Sequence, residues 1–69
     1  MYVIKKCHTY KTKDGIEHEM ISYFERLGVF GFVVLTRFED AKKYDFLTEA
    51  RRDKRKYFNS DKRCSIEKI

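Results

Sequence analysis

The sequence predicts a small α+β domain with the order β-β-β-α-β, in which a mainly antiparallel sheet packs against one amphipathic helix. Side chains alternate over residues 2–11, which indicates a strand. Lys13-Asp14-Gly15 indicates a hairpin turn, and an apolar stripe over residues 46–58 indicates a helix. With 69 residues, of which 42% are apolar and 39% charged, the chain is sized for a single domain, residues 1–69, and is apolar enough to fold. A multidomain enzyme is excluded.

The first hairpin has a register on which its turn and its side-chain pattern agree. A three-residue loop that ends in Gly15 is typical of a type I turn followed by a bulge, where glycine adopts the required positive φ. This loop predicts that Ile4 faces Phe24, and that apolar partners share one face of the sheet. The other face then carries charge-matched pairs such as Lys11 with Glu17, which suit solvent.

A turn and a third strand follow the hairpin. Gly28 and Gly31 bracket a predicted turn, after which residues 32–35 form a short buried strand that we place at the centre of the sheet. Thr36 and Glu39 have the spacing of a capping box and predict a brief helical turn over residues 39–43.

The longer helix is predicted over residues 46–58, with Asp45 as its N-cap and Asn59-Ser60-Asp61 at its end. Its stripe at about 100° per residue consists of Phe46, Leu47, Ala50, Lys54, Tyr57 and Phe58. The tail, residues 63–69, alternates again and predicts the last strand, with Cys64 and Ile66 directed inward.

Positive charge is concentrated in one segment. The chain has 16 Lys and Arg against 11 Asp and Glu, a net charge of +5, and the segment 51–63 holds seven of the basic residues but only two of the acidic ones. The whole excess of five positive charges therefore lies in residues 51–63. Glu49 with Arg52 and Asp53 with Lys56 have i,i+3 spacing and are predicted to neutralise one edge of the helix.

These cations predict contacts with the phosphates of a nucleic acid. The predicted interface consists of Arg51, Arg52, Arg55 and Lys56 on the face opposite the apolar stripe, Lys62 and Arg63 beyond it, and Tyr23. Tyr23 is expected on the charged face of the hairpin, where a ring can stack on single-stranded bases, and Tyr10 and Tyr44 are further candidates for stacking. A solvated helix face that only confers solubility, or one that binds an acidic protein surface, remains open, because the chain has no zinc-finger, helix-turn-helix or phosphate-loop motif.

The sequence does not predict catalysis, a metal or another cofactor. Cys7, His8, His18 and Cys64 are the candidate zinc ligands, but Cys7 and His8 are adjacent on a strand and point to opposite faces. There is no C-x-x-C motif either. The same geometry prevents His8 from activating Cys7 as a nucleophile.

The chain is expected to be cytoplasmic. Residues 1–4 lead into a strand rather than into a signal peptide. The longest apolar run, residues 29–35, is far shorter than the roughly 20 residues of a membrane-spanning helix. The two cysteines are accordingly expected to stay reduced.

Four short stretches carry a resemblance to known proteins: Tyr2-Val3-Ile4-Lys5, Phe38-Glu39-Asp40-Ala41-Lys42-Lys43-Tyr44, Thr48-Glu49-Ala50 and Ile66-Glu67-Lys68-Ile69. Together the chain resembles small accessory proteins of phages and mobile elements of low-GC Gram-positive bacteria, although its basic helix departs from that pattern. The resemblance implies a bacterial cytosol, a non-enzymatic role and a partner encoded by host or phage.

Two functions therefore stay open. The first is binding of nucleic acid, or of a nucleoprotein, through the basic helix. The second is inhibition or adaptation of a host or defence protein through the helix or an open sheet edge. An open edge also invites strand addition or a homodimer.

Overall fold

The computed structural model describes residues 1–59 and 61–69 and confirms the predicted α+β fold. Four strands, β1 (Tyr2–Lys11), β2 (Glu17–Leu27), β3 (Val33–Thr36) and β4 (Cys64–Lys68), form one antiparallel sheet in the order β3-β2-β1-β4. The one α-helix of the described residues, α1 (Leu47–Phe58), packs mainly against β1 and β4. In the described part of the chain, neither the α-helix nor the short 3₁₀ helix has the length and apolar character needed to cross a bilayer.

The first hairpin has the predicted register wherever its strands pair; Ile4 and Phe24, predicted to face each other, lie just beyond the last pair and share the buried core. Pairing runs from Lys5 opposite Tyr23 to Lys11 opposite Glu17. In the turn, the Gly15 N–H donates to the Thr12 carbonyl at 3.0 Å, and Gly15 has a φ of +80°. The positive φ is the reason for a glycine there.

The second hairpin repeats this turn. The Gly31 N–H donates to the Gly28 carbonyl at 3.0 Å, the Gly28 N–H donates to the Phe32 carbonyl at 2.7 Å, and Gly31 has a φ of +78°. The turn over residues 28–32 is therefore confirmed.

The buried central strand predicted over residues 32–35 is wrong in two respects: β3 lies at the edge of the sheet and is only half-buried, and Phe32 precedes it and is 73% exposed. β4 returns antiparallel beside β1, so β1 is paired on both sides. Because β1 occupies one edge of β2, β3, which a tight hairpin joins to β2, can pair only with the other edge of β2.

A short segment, residues 42–44, inserts where β1 and β2 separate. The pairing of β1 with β2 ends at Lys5 and Tyr23, and the register of β2 against β3 shifts just after, between Phe24 and Arg26. Past the end of the β1–β2 pairing, the Lys42 N–H donates to the Phe24 carbonyl at 2.9 Å, while Tyr2 and Tyr44 exchange two backbone hydrogen bonds of 2.8 Å. The insertion brings the Tyr44 side chain into the core.

The predicted helical turn over residues 39–43 is shorter and earlier than expected, a 3₁₀ helix at Phe38–Asp40. Its N-cap is Arg37, which makes no side-chain capping bond. Thr36 does not cap it because Thr36 is the last residue of β3, paired with Tyr23.

The helix α1 begins at Leu47, so the predicted start at Phe46 and the predicted Asp45 cap are wrong. Phe46 is itself the N-cap, in an extended conformation with no side-chain capping bond. It precedes the first helical residue and does not continue the apolar stripe, and it is 64% exposed. At the other end the Asn59 N–H donates to the Arg55 carbonyl at 3.1 Å, and Ser60, predicted to help end the helix, lies outside the described residues.

Aromatic rings dominate the core between the sheet and α1. Phe24 stacks on Tyr57 with ring centroids 5.2 Å apart and meets Phe58 edge to face at 5.9 Å. Cys64 is buried and Ile66 packs against this core, which confirms their predicted inward direction. The buried cluster around Phe24 consists of Ile4, Phe24, Tyr44 and Ala50.

We predict that Phe24→Ala destabilises the protein by about 3–5 kcal/mol, because it removes a buried ring and leaves a cavity. For a chain of 69 residues, this approaches the whole free energy of unfolding. Urea denaturation followed by circular dichroism measures it. Phe46→Ala, which removes the same ring from an exposed position, serves as the control and should change stability by less than about 0.5 kcal/mol; equal losses in the two variants would contradict the proposed core.

Candidate functional site

The site is built around a carboxylate that faces inward from the helix. Asp53 is 7% exposed, the one buried charged side chain among the described residues. Its Oδ2 accepts a hydrogen bond of 2.7 Å from the Tyr44 hydroxyl and lies 3.6 Å from the Lys42 Nζ. Its Oδ1 lies 3.7 Å from the Arg52 Nε. A buried carboxylate is tolerated only when it is paired in this way.

The inserted segment supplies both of the partners of Asp53 that lie outside the helix. Lys42 and Tyr44 come from residues 42–44, and the Lys42 ammonium also lies 4.9 Å from the centre of the Tyr44 ring. Burial, followed by the hydrogen bond to Asp53, raises the pKa of Tyr44 far above its usual value. The hydroxyl therefore stays protonated and remains a donor.

The second acidic residue of the basic segment, Asp61, is also directed toward the sheet. One carboxylate oxygen accepts the Arg63 N–H at 2.9 Å, and the other lies 3.4 Å from the Lys6 Nζ on β1. These contacts, the backbone N–H first and Lys6 second, lower the pKa of Asp61.

Both acidic residues of the segment 51–63 thus pair with lysines from other parts of the chain. The predicted pair of Asp53 with Lys56 is wrong, because Asp53 points into the core. Among the ion pairs of the described residues, none joins Glu49 to Arg52, so that predicted pair is wrong as well. The local charge excess is left on the outer side of the helix.

Four exposed cations share that outer side, which we call the basic face: Arg51, Arg52, Arg55 and Lys56. They form two i,i+4 rows whose members are one helical turn, or about 6 Å, apart along the axis. With Thr48 they border a shallow depression on the helix surface. Within the described residues, Arg52 is the only one of the four that makes an ion pair. The basic face is therefore concentrated, exposed and largely uncompensated.

The other predicted interface residues lie in different places. Lys62 and Arg63 are exposed in the turn that leads from α1 to β4. Tyr23 lies on the opposite face of the sheet, because it pairs with Lys5, whereas the neighbouring Phe24 faces the helix. The Tyr23 ring packs edge-on against Phe38 at 5.4 Å. The structure therefore brings the four helix cations together and does not bring Tyr23 to them.

The two other candidate stacking residues are also engaged. Tyr44 is buried, and Tyr10 stacks on His18 with ring centroids 5.3 Å apart.

The cysteines form internal contacts. The Cys7 thiol donates to Glu19 Oε1 at 2.9 Å, and this hydrogen bond raises the pKa of Cys7. Burial raises the pKa of Cys64. In residues 1–59 and 61–69, no three His, Cys, Asp or Glu side chains are grouped closely enough to hold a metal ion.

The interpretation of the sequence missed the role of Asp53. One signal for it is present, since Asp53 lies three residues after the buried Ala50 and four before the half-buried Tyr57, on the inner side of the helix.

Comparison with models of protein families, with curated proteins and with solved structures found no match for this chain.

We predict that Tyr44→Phe destabilises the protein by about 1.5–3 kcal/mol, because the buried Asp53 carboxylate loses its hydroxyl donor. Urea denaturation at neutral pH measures the loss. Tyr10→Phe removes a hydroxyl from an exposed ring and should change stability by less than about 0.5 kcal/mol. Indistinguishable stabilities for Tyr44→Phe and the wild type would contradict the contact.

We predict that the stability contributed by Asp61 depends on pH. Its pKa is lower in the folded state than the ordinary value of 3.8. The contribution is therefore present above that ordinary value and is lost as the pH falls through the lower folded value. Asp61→Asn should be less stable than the wild type at about pH 7, and the difference should shrink toward about pH 2.5 in urea denaturation. Asp45→Asn, which removes an exposed carboxylate, is the control, and a difference for Asp61→Asn that stays constant with pH would contradict the assignment.

Proposed function

We propose that the protein is a non-enzymatic binding module that holds nucleic acid by its phosphates through the basic face. The observation that carries the proposal is the inward direction of Asp53 and Asp61. Each carboxylate contacts a lysine outside the segment, Lys42 at 3.6 Å and Lys6 at 3.4 Å. Of the four cations of the basic face, Arg52 alone contacts a carboxylate within the described residues, so most of the face can interact with an external polyanion.

The chemistry of the basic face suits phosphate. Three of its four cations are arginines, and a guanidinium can donate two parallel hydrogen bonds to one phosphate. Cations in two rows along a rigid helix can contact successive phosphates, and each contact releases counterions. Such contacts position the protein without reading bases, so we infer binding with little sequence preference.

The position of the cations along the helix supports an external role. Arg55 and Lys56 lie in the last turn, where they also interact favourably with the helix dipole. Arg51 and Arg52 lie in the middle of the helix, where the dipole effect is small. Stabilisation of the helix end therefore does not account for the whole basic face.

The proposed interface differs from the one predicted from the sequence in one respect. Tyr23 is left out, because it lies on the opposite face of the sheet and contacts Phe38. Lys62 and Arg63 remain as auxiliary contacts, since they are exposed and follow the helix.

We predict that labelled duplex DNA binds with a steep dependence on salt. Four phosphate contacts give a slope of about −3.6 in a plot of log affinity against log salt concentration, or about a 100-fold loss between about 50 and 200 mM salt. Reversing two cations, in Arg51→Glu/Arg55→Glu, should reduce the magnitude of this slope by about 2 and weaken binding more than tenfold at low salt. Fluorescence anisotropy measures both quantities, and single-stranded DNA and RNA are titrated in parallel.

The matched control reverses two exposed lysines at the hairpin tip, in Lys11→Glu/Lys13→Glu. It changes the net charge of the protein by the same amount at a site away from the helix. Equal weakening in the two double variants would mean that net charge alone drives binding. Absence of binding at low salt would refute the proposal outright.

The phage or mobile-element origin, the bacterial cytoplasm and a partner protein from the host stay predictions from the sequence.

A further inference from the structure

The two edges of the sheet differ in chemistry. β3 consists of Val33, Val34, Leu35 and Thr36 and carries no charge. The opposite edge strand, β4, includes Glu67 and Lys68 and follows Lys62 and Arg63. Charged residues, lysine above all, are the usual protection of an exposed edge against pairing with another strand. β4 has this protection and β3 does not.

The outer edge of β3 is also uncovered in the described part of the chain. Outside the ladder with β2, no backbone hydrogen bond between residues 33–36 and the rest of residues 1–59 and 61–69 is formed. After Thr36 the chain turns back toward β2, where Phe38 contacts Tyr23. The backbone N–H and C=O groups on the outer edge of β3 are therefore available to a further strand.

Apolar side chains extend this edge into the preceding turn. Val29 is 93% exposed, Phe30 86% and Phe32 73%. On the helix side, an apolar groove reaches β3 because α1 packs mainly against β1 and β4. The groove is lined by His8, Met20, Ile21, Ser22, Leu35, Thr36 and Arg37. Exposed apolar surface that continues into an open edge indicates an interface rather than a solvated surface.

We propose that β3 pairs antiparallel with β3 of a second copy of this chain, forming a symmetric dimer with a continuous eight-stranded sheet. In a register centred on Val34, Val34 lies opposite Val34 of the second copy, and Phe32 lies opposite Thr36. Aromatic and β-branched residues are favourable cross-strand partners.

Pairing of two copies at this edge avoids the repulsion between their positive charges. Each chain carries a net charge of +5, so most approaches of two copies are repulsive. The basic face lies on the helix over β1 and β4, toward the sheet edge opposite β3. Pairing through β3 therefore brings uncharged strands together and keeps the two basic faces apart. This inference does not rest on the proposed binding of nucleic acid.

The test is sedimentation equilibrium over a range of protein concentrations. For the wild type, the average mass should rise from 8.4 kDa toward twice that value with a dissociation constant of about 10–100 μM, the weak association expected of a small interface. Val34→Lys and Val34→Glu should each weaken association at least tenfold, because like charges then lie directly opposite each other. An equimolar mixture of the two variants should restore it, since Lys then faces Glu.

Phe32→Lys provides a second variant at an exposed position, and it should weaken association even if the Val34 variants prove poorly folded by circular dichroism. Phe46→Lys introduces the same charge at another exposed phenylalanine, outside β3, and should associate like the wild type. A wild-type protein that stays monomeric up to a concentration of about 1 mM would overturn the proposal. So would folded Val34 or Phe32 variants that associate as strongly as the wild type.

Discussion

The hydrogen bond from the Tyr44 hydroxyl holds the Asp53 carboxylate inward, so that the outer face of the central helix turns carries cations alone. Asp53 lies among the inward positions of α1, between Ala50 and Tyr57. A carboxylate there would be costly without partners, and Tyr44 and Lys42 supply them at 2.7 and 3.6 Å. With Asp53 held inward, the other charged residues of positions 51–56 are all cations: the half-buried Lys54 and the four residues of the basic face. One buried contact thus links the core to the surface proposed to bind phosphate.

That contact depends in turn on the insertion of residues 42–44 between β1 and β2. The pairing of β1 with β2 ends at Lys5 and Tyr23, and residues 42–44 bridge the two strands beyond that point with backbone hydrogen bonds. The backbone pairing of Tyr2 with Tyr44 fixes the position along β1 at which the Tyr44 ring enters the core. Asp61 completes the arrangement, because its contact with Lys6 ties the turn after the helix to β1. The two acidic side chains of the segment 51–63 are therefore directed toward the sheet, and the cations of the basic face lie on the outer side of the helix.

Local features of the chain were predictable from the sequence, and long-range ones were not. The turn at Gly15 determines the register of the first hairpin, because turn type and register are coupled over a few residues. The four exposed cations follow from helical periodicity. The edge position of β3 depends on β4, which comes from the other end of the chain. Helical periodicity places Asp53 on the inner side of α1, but its partner Tyr44 comes from the inserted segment 42–44. Neither the position of β4 nor that of this segment leaves a periodic signal in the sequence.

The most direct test is a double-mutant cycle between Tyr44→Phe and Asp53→Ala, with the free energy of unfolding measured by urea denaturation. An osmolyte such as trimethylamine N-oxide keeps all four proteins folded at the start of each titration. If the hydroxyl donates to a buried carboxylate, the coupling energy is about 1–3 kcal/mol, because Tyr44→Phe then costs much less once Asp53 is gone. A coupling energy below about 0.3 kcal/mol would show that the two side chains act independently. It would contradict the account of how the basic face is oriented.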